Sequence, residues 1–190
     1  MQTAVAGEAS ASFLGASAHP CAPVPRLGLL SDTHGVLHPE IPGLLAGCDL
    51  ILHAGDIGAG KVGHAILDAL EAVAPTVAVS GNIDDPSMRR RVAAEAEGEI
   101  GGVRYLMTHI GGHPKRWAPG VGARLAAARP GLFVTGHSHI LRVERVAALG
   151  GMLFVNPGAC GVQGFHLVRT LVRLSVDGGR ATSADVVHLD

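Results

Sequence analysis

Short apolar runs that stop abruptly at glycine and polar residues set the strongest limit on how this chain can fold. Residues 26–31, 49–53 and 75–80 each read as a buried strand ending in turn residues. A helical stretch follows Pro39-Glu40. The segment 61–74 places Val62, Ala65, Ile66, Ala69 and Leu70 at the i, i+3, i+4 spacing of an amphipathic helix. Strand, helix, strand, helix, strand is the pattern of a parallel α/β sheet. The second half differs. Strands are predicted at 103–108 and 132–135 around a helix near 122–128. Further strands follow at 141–146, 152–155, 166–174 and 184–189, with only turns between them. Such a run predicts a meander, so the sheet is mixed or doubled.

At 190 residues and 47 % apolar content, the chain suits one domain with a real core. Its net charge of −1 lacks the basic footprint of a dedicated nucleic-acid binder, and six aromatic residues (four Phe, one Tyr, one Trp) are too few for a base-stacking platform. No apolar run approaches the ~20 residues that span a bilayer. Cys21, Cys48 and Cys160 are odd in number and lack CxxC spacing, so they read as free thiols of a cytoplasmic protein. Residues 1–25 form an Ala/Ser/Pro-rich extension. They contain no Lys or Arg and no continuous apolar core, which sets them apart from a signal peptide despite Ala16-Ser17-Ala18. Residues 26–190 are the folded domain.

In open α/β sheets, sites gather beyond the carboxyl ends of the strands. Here the strand ends read Ser31-Asp32-Thr33-His34-Gly35, His53-Ala54-Gly55-Asp56, Ser80-Gly81-Asn82-Ile83-Asp84, Thr108-His109 and Gly136-His137-Ser138-His139. Asp32, His34, Asp56, Asn82, His109, His137 and His139 offer nitrogen and oxygen donors without thiolate, a set suited to divalent first-row metals. Seven ligands exceed one tetrahedral ion and suit two ions sharing a bridging carboxylate. Two such ions ~3.5–4 Å apart form a clamp for phosphoryl oxygens. Each motif alone has an ordinary alternative: a turn for Asp56 or Asn82, a structural histidine for His109, one strand face for His137 and His139. Their shared order and position carry the argument.

With these residues the chain resembles the calcineurin-like metallophosphoesterase superfamily, whose pattern runs D-x-H, G-D, G-N-[HCI]-[DE], H and G-H-x-H. The short length and Asn156-Pro157-Gly158 resemble its small phosphodiesterase branch, which also contains the retromer vacuolar-sorting scaffold subunit. The resemblance covers roughly residues 26–175. It implies an α/β fold of two packed mixed β-sheets flanked by helices, a four-layer sandwich. It also implies that Asp32, His34 and His139 hold one metal, that Asn82, His109 and His137 hold the other, and that Asp56 bridges them. The family's usual ions are manganese, iron, nickel or zinc, and manganese is expected first.

Two positions depart from the family. Ile83 stands where many members carry a histidine thought to protonate the leaving oxygen, and isoleucine cannot donate a proton. Ala159 stands where the branch commonly has serine. His113, with Lys115 and Arg116, is a candidate to contact substrate phosphate or replace the missing acid; a solvated loop is the plainer reading. His53 either orients a ligand or is a satisfied core histidine. The run Arg89-Arg90-Arg91 reads as a solvated face. The expected function is a dinuclear-metal phosphodiesterase, favoured over a phosphomonoesterase, that hydrolyses small phosphodiesters by a metal-activated bridging water. Asn82 and His113 are its expected substrate-binding residues. The alternative is a non-catalytic metal-binding scaffold or protein-interaction module of the same fold. Neither membrane nor dedicated nucleic-acid binding is expected, and an oligomer is compatible with the sequence.

Overall fold

The computed structural model describes residues 24–164 and 168–189. The predicted extension lies outside them except for residues 24 and 25, as do Cys21 and the start of the strand expected from residue 166. In chain order the first half contains β1 (Arg26–Leu30), α1 (Ile41–Leu44), β2 (Leu50–His53), α2 (Gly60–Glu71), β3 (Thr76–Ala78), α3 (Pro86–Arg91), β4 (Glu95–Ile100) and β5 (Val103–Thr108). Then come β6 (Gly112–His113), β7 (Arg116–Trp117), α4 (Val121–Ala128), β8 (Leu132–Val134), β9 (Arg142–Val146), β10 (Met152–Asn156), β11 (Arg169–Asp177) and β12 (Arg180–Leu189).

These strands make two five-stranded sheets, β12-β11-β1-β2-β3 and β4-β5-β8-β10-β9, and a small β6-β7 hairpin. Both large sheets are mixed. β1, β2 and β3 are parallel, while β11 runs antiparallel to β1. β5, β8 and β10 are parallel, with β4 and β9 antiparallel at the edges.

Side-chain alternation along each strand builds the layers. Leu27 and Leu29 of β1, Leu132 and Val134 of β8, and Leu153 and Val155 of β10 meet in one buried cluster between the sheets. The opposite faces turn outward. Leu30, Ile51 and Ala78 pack beneath Ile41, Ile66, Leu70 and Met88 of α1, α2 and α3. Phe133 and Phe154 pack beneath Leu125 of α4 and Trp117. The result is the expected four-layer arrangement: helices, sheet, sheet, helix.

Several local features differ from the expectations. The final strands are no separate meander, because β11 returns to the first sheet beside β1 and β12 pairs with β11. β4 was not anticipated, since Glu95, Glu97 and Glu99 alternate along an edge strand whose charged face is solvated. α3 also emerged unannounced, capped by the Asp85 carboxylate accepting from Met88 N, with Pro86 in the first turn. It engages two residues of the arginine run. Arg91 pairs with Asp68 at 2.7 Å and Glu71 at 2.9 Å, and Arg89 donates to the Asn82 carbonyl at 3.1 Å. Arg89 and Arg90 are exposed, as expected of a solvated face, while Arg91 is half-buried in its ion pairs. Cys48 and Cys160 are free, and Cys160 is buried, which pushes its thiol up to about 12. Among the described residues, no helix is long and apolar enough to cross a membrane.

Candidate metal centre

Because β1, β2 and β3 are parallel in one sheet and β5 and β8 in the other, their carboxyl ends bring the five polar loops to one rim. Backbone bonds continue the sheet past the strand ends: Asp32 N–H donates to Gly55 O at 3.0 Å and His34 N–H to Asp56 O at 2.9 Å. In the second sheet, Gly136 N–H donates to His109 O at 3.0 Å, continuing the β5–β8 ladder.

Two donor groups result. Asp32, His34 and His139 offer ligand atoms that all lie within 4.8 Å of one another, and so do Asp56, His109 and His137. In the first, His139 Nε2 lies 3.3 Å from Asp32 Oδ1 and 3.1 Å from His34 Nε2. In the second, His109 Nε2 lies 3.3 Å from Asp56 Oδ2 and 3.1 Å from Asn82 Oδ1. Asp56 Oδ2 is also 3.8 Å from His34 Nε2, so this carboxylate stands between the groups.

The protonation pattern in this cluster calls for a cation. His109 Nδ1 must donate to the Ala54 carbonyl at 2.8 Å, since a carbonyl only accepts. Neutral His109 therefore turns the lone pair of Nε2 toward the Asp56 carboxylate, acceptor against acceptor. Asp32 Oδ1 is buried and has no hydrogen-bond partner. A proton or a metal ion relieves both conflicts. Donors that share one ion with bonds of ~2.1 Å lie ~3.0–3.4 Å apart, close to the shorter spacings here. The residues present fit divalent ions.

Backbone strain points the same way. Among the described residues six non-glycine positions have positive φ, and five are Asp32 (56°), His34 (49°), Asp56 (52°), His137 (68°) and His139 (57°). The sixth, Arg129, closes α4. Left-handed non-glycine residues cost of order 1–3 kcal/mol each and cluster at functional sites. Two glycines make the crowding feasible. A Cβ on Gly81 would collide with the Asp56 carboxylate, and Gly55, at φ 93°, has the His109 ring where a side chain would stand.

Some supporting residues were not foreseen. Buried Asp84 accepts from Gly81 N at 2.7 Å and Gly58 N at 2.9 Å, and Ile83 N donates to Asp56 Oδ1 at 2.9 Å. The Gly81–Asp84 loop thus wraps around Asp56. Thr135 Oγ1 donates to His109 O and accepts from Gly111 N, fixing the loop that carries His109. Asn156 Nδ2 donates to Gly136 O at 2.8 Å, next to His137. Asp84 and Asn156 stood in recognisable motifs; nothing in the sequence singled out Thr135.

His53 is buried with both ring nitrogens hydrogen-bonded, the satisfied histidine of the two readings. Gly55 N–H donates to its Nδ1 at 3.2 Å, so Nε2–H donates to Thr33 Oγ1 at 3.0 Å, whose hydroxyl donates to Ile57 O. It ties the Asp32–His34 loop to the Asp56 loop. Burial pushes its pKa down to about 4. The unfolded chain therefore takes up a proton below ~6.5 that the native state refuses until about pH 4. The native state loses stability as pH falls through that window, by about 3 kcal/mol in all. Denaturation of wild type and His53→Asn from pH 7 to 4 should show this contribution to the slope only in wild type.

His113 lies on the β6–β7 hairpin rather than in either donor group. It lines a cavity of about 290 Å³ whose wall includes His137. A larger cavity, about 870 Å³ between α4 and the β9–β10 turn, contains none of the site residues.

Residues 26–179 match the model of the calcineurin-like phosphoesterase superfamily domain. No curated protein matches the sequence significantly. Among solved structures, a Thermotoga maritima protein is 24 % identical with a TM-score of 0.63, covering 87 % of this chain and 100 % of its own. A predicted phosphoesterase from Streptococcus pneumoniae is 16 % identical with a TM-score of 0.62, covering 89 % and 100 %. Vps29 from Entamoeba histolytica in complex with Zn²⁺ is 19 % identical with a TM-score of 0.59, covering 87 % and 99 %. At these identities the structures share a fold.

Proposed function

The chain belongs to the calcineurin-like phosphoesterase superfamily, and from that premise we propose that it is a cytoplasmic, dinuclear-metal phosphodiesterase acting on small phosphodiesters, with manganese its expected ion. The observation that carries this reading is the pair of donor groups either side of Asp56, built on left-handed Asp and His residues. Asp32, His34 and His139 would hold one ion, Asn82, His109 and His137 the other, and Asp56 would serve both. When bound, the ions supply Lewis-acid polarisation of phosphoryl oxygens and a water of lowered pKa.

The protein's own groups then bind and orient. Asn82, exposed at the mouth, turns Oδ1 toward His109, which leaves its NH₂ to donate to a non-bridging phosphoryl oxygen. His109 is held in its ligating tautomer by Ala54 O. Asp84, Thr135 and His53 lock the loops, so the donors need little rearrangement when substrate arrives.

The test is hydrolysis of bis(4-nitrophenyl) phosphate and 4-nitrophenyl phosphate by metal-stripped protein, with Mn²⁺, Fe²⁺, Ni²⁺ or Zn²⁺ added in turn. Turnover of the diester above the monoester is expected. Absence of turnover with every ion would leave the scaffold alternative standing.

Protons should compete with the ions. Burial lowers the pKa of His109, but its bond to Asp56 and the charges of Asp32 and Asp56 outweigh burial and raise it; His139 is raised chiefly by its bond to Asp32. Below these raised values both rings carry a proton that a metal must displace. Metal affinity should therefore be full at higher pH and decline as pH falls, with the decline beginning above ~6.5. Calorimetric titration with Mn²⁺ should show proton release near neutrality, and excess metal should partly restore activity at low pH. Affinity unchanged down to pH 5 would remove His109 and His139 from the ligand set.

A further inference from the structure

We propose that the cavity beside His137 is the subsite for an uncharged aromatic ring on one ester arm of the substrate, an inference that rests on the phosphodiesterase reading. Its position comes first. His137, from the second donor group, forms part of the cavity wall, so a group seated there is adjacent to whatever the donor groups bind.

The wall has the chemistry of a ring site. Trp117 contributes aromatic surface, backed by the buried Phe154 ring, which it meets edge-on at 5.7 Å between centroids. Phe133 meets Trp117 in the same way at 5.8 Å, which clamps the indole in place. Ile110 and Ile140, 46 % and 54 % exposed, also line it and directly follow His109 and His139 in sequence. Exposed branched aliphatics beside two donor-group residues lack a packing role in the core. Covered by an apolar substrate group, they would exclude water from the reacting phosphorus.

Charge defines which ring-bearing molecule suits the cavity. Among the described residues, no Asp or Glu lines it. Arg142 is occupied by Glu144 at 3.3 Å, whereas exposed Arg116 and the buried, unpartnered Nδ1 of His113 remain in the wall. An aromatic group attached to an anion matches this combination: the ring against Trp117 and the isoleucines, the phosphate toward His137 and Arg116. At about 290 Å³ the cavity sits at the lower end of small-molecule sites, which run from ~300 Å³, so it takes one ring-bearing arm.

Trp117 is the chain's single tryptophan, so intrinsic fluorescence reports on this wall directly. Zinc-loaded protein is titrated with phenylphosphonate and with methylphosphonate, which share the anion and differ in the ring. Phenylphosphonate should give a saturable change at a concentration lower by at least about tenfold, the discrimination an apolar pocket exerts for a group that fills it. Ile110→Ala/Ile140→Ala, at exposed positions that leave the core intact, should shrink that ratio. Equal half-saturation for the two phosphonates, or a ratio unmoved by the double substitution, would overturn the proposal. Turnover of methyl 4-nitrophenyl phosphate with each ion is read in parallel. Ring preference without any turnover would retain the aromatic subsite and overturn only the phosphodiesterase reading.

Discussion

Asp56→Ala is expected to abolish phosphodiester hydrolysis, with a loss of roughly 10³-fold or more, and to cost more than Asp32→Ala. The reason is position. Asp56 Oδ2 is 3.3 Å from His109 Nε2 and 3.8 Å from His34 Nε2, so it faces both donor groups. Asp32 Oδ1 faces His34 at 3.8 Å and His139 at 3.3 Å, both in one group. Removing the shared carboxylate leaves two neighbouring cations without common compensation. A bound ion supplies several kcal/mol of charge stabilisation, and about 4 kcal/mol corresponds to that thousandfold loss. Asp56 Oδ1 also accepts from Ile83 N, so the alanine variant loosens the Asn82 loop as well. Asp56→Asn separates the two effects. It keeps an acceptor for Ile83 while losing the charge, and should lose most activity with little change in melting temperature. The measurement is kcat/KM at saturating Mn²⁺, with metal stoichiometry determined on the same samples. Near-normal turnover of Asp56→Ala with two ions bound would refute the bridging assignment.

The parallel strands were legible because each is a short apolar run closed by glycine, and the strand-end rule then predicted where the polar loops would meet. What the sequence could not display is how the last strands choose a partner. Val172, Leu174 and Val176 of β11 alternate with Arg173, Ser175 and Asp177, which fixes the buried face of the strand but does not name its neighbour. Only the observed pairing, Leu27 with Leu174 and Leu29 with Val172, puts it beside β1. The strain at the site was equally hidden. Asp and His tolerate the left-handed region somewhat better than most residues, a preference too weak to predict five such positions. In sequence the β6–β7 hairpin reads as a loop, because Gly111-Gly112-His113-Pro114 contains the residues of a turn and two-residue strands leave no periodicity. The hairpin places His113 and Trp117 in the wall of the cavity that His137 also borders.

The same hairpin bears on the second large effect, which turns on Ile83. Its backbone N–H holds Asp56, while its side chain, 41 % exposed, has no proton to give the leaving oxygen. General-acid assistance is worth ~10²–10⁴-fold, mainly for poor leaving groups. Nitrophenolate departs without a proton; an alkoxide does not. The hydrolysis rate should therefore fall steeply with leaving-group pKa, leaving simple alkyl diesters slower than nitrophenyl diesters by more than their intrinsic reactivity predicts. Ile83→His should accelerate alkyl substrates more than nitrophenyl ones and flatten the slope, while the backbone bond to Asp56 is retained. A shallow slope in wild type would mean that another group supplies the proton. His113 is then the residue to remove, because it lines the cavity that His137 also borders. Steepening in His113→Ala would assign the acid to the hairpin. A slope that neither substitution moves would leave protonation to water and show that position 83 does not control the step.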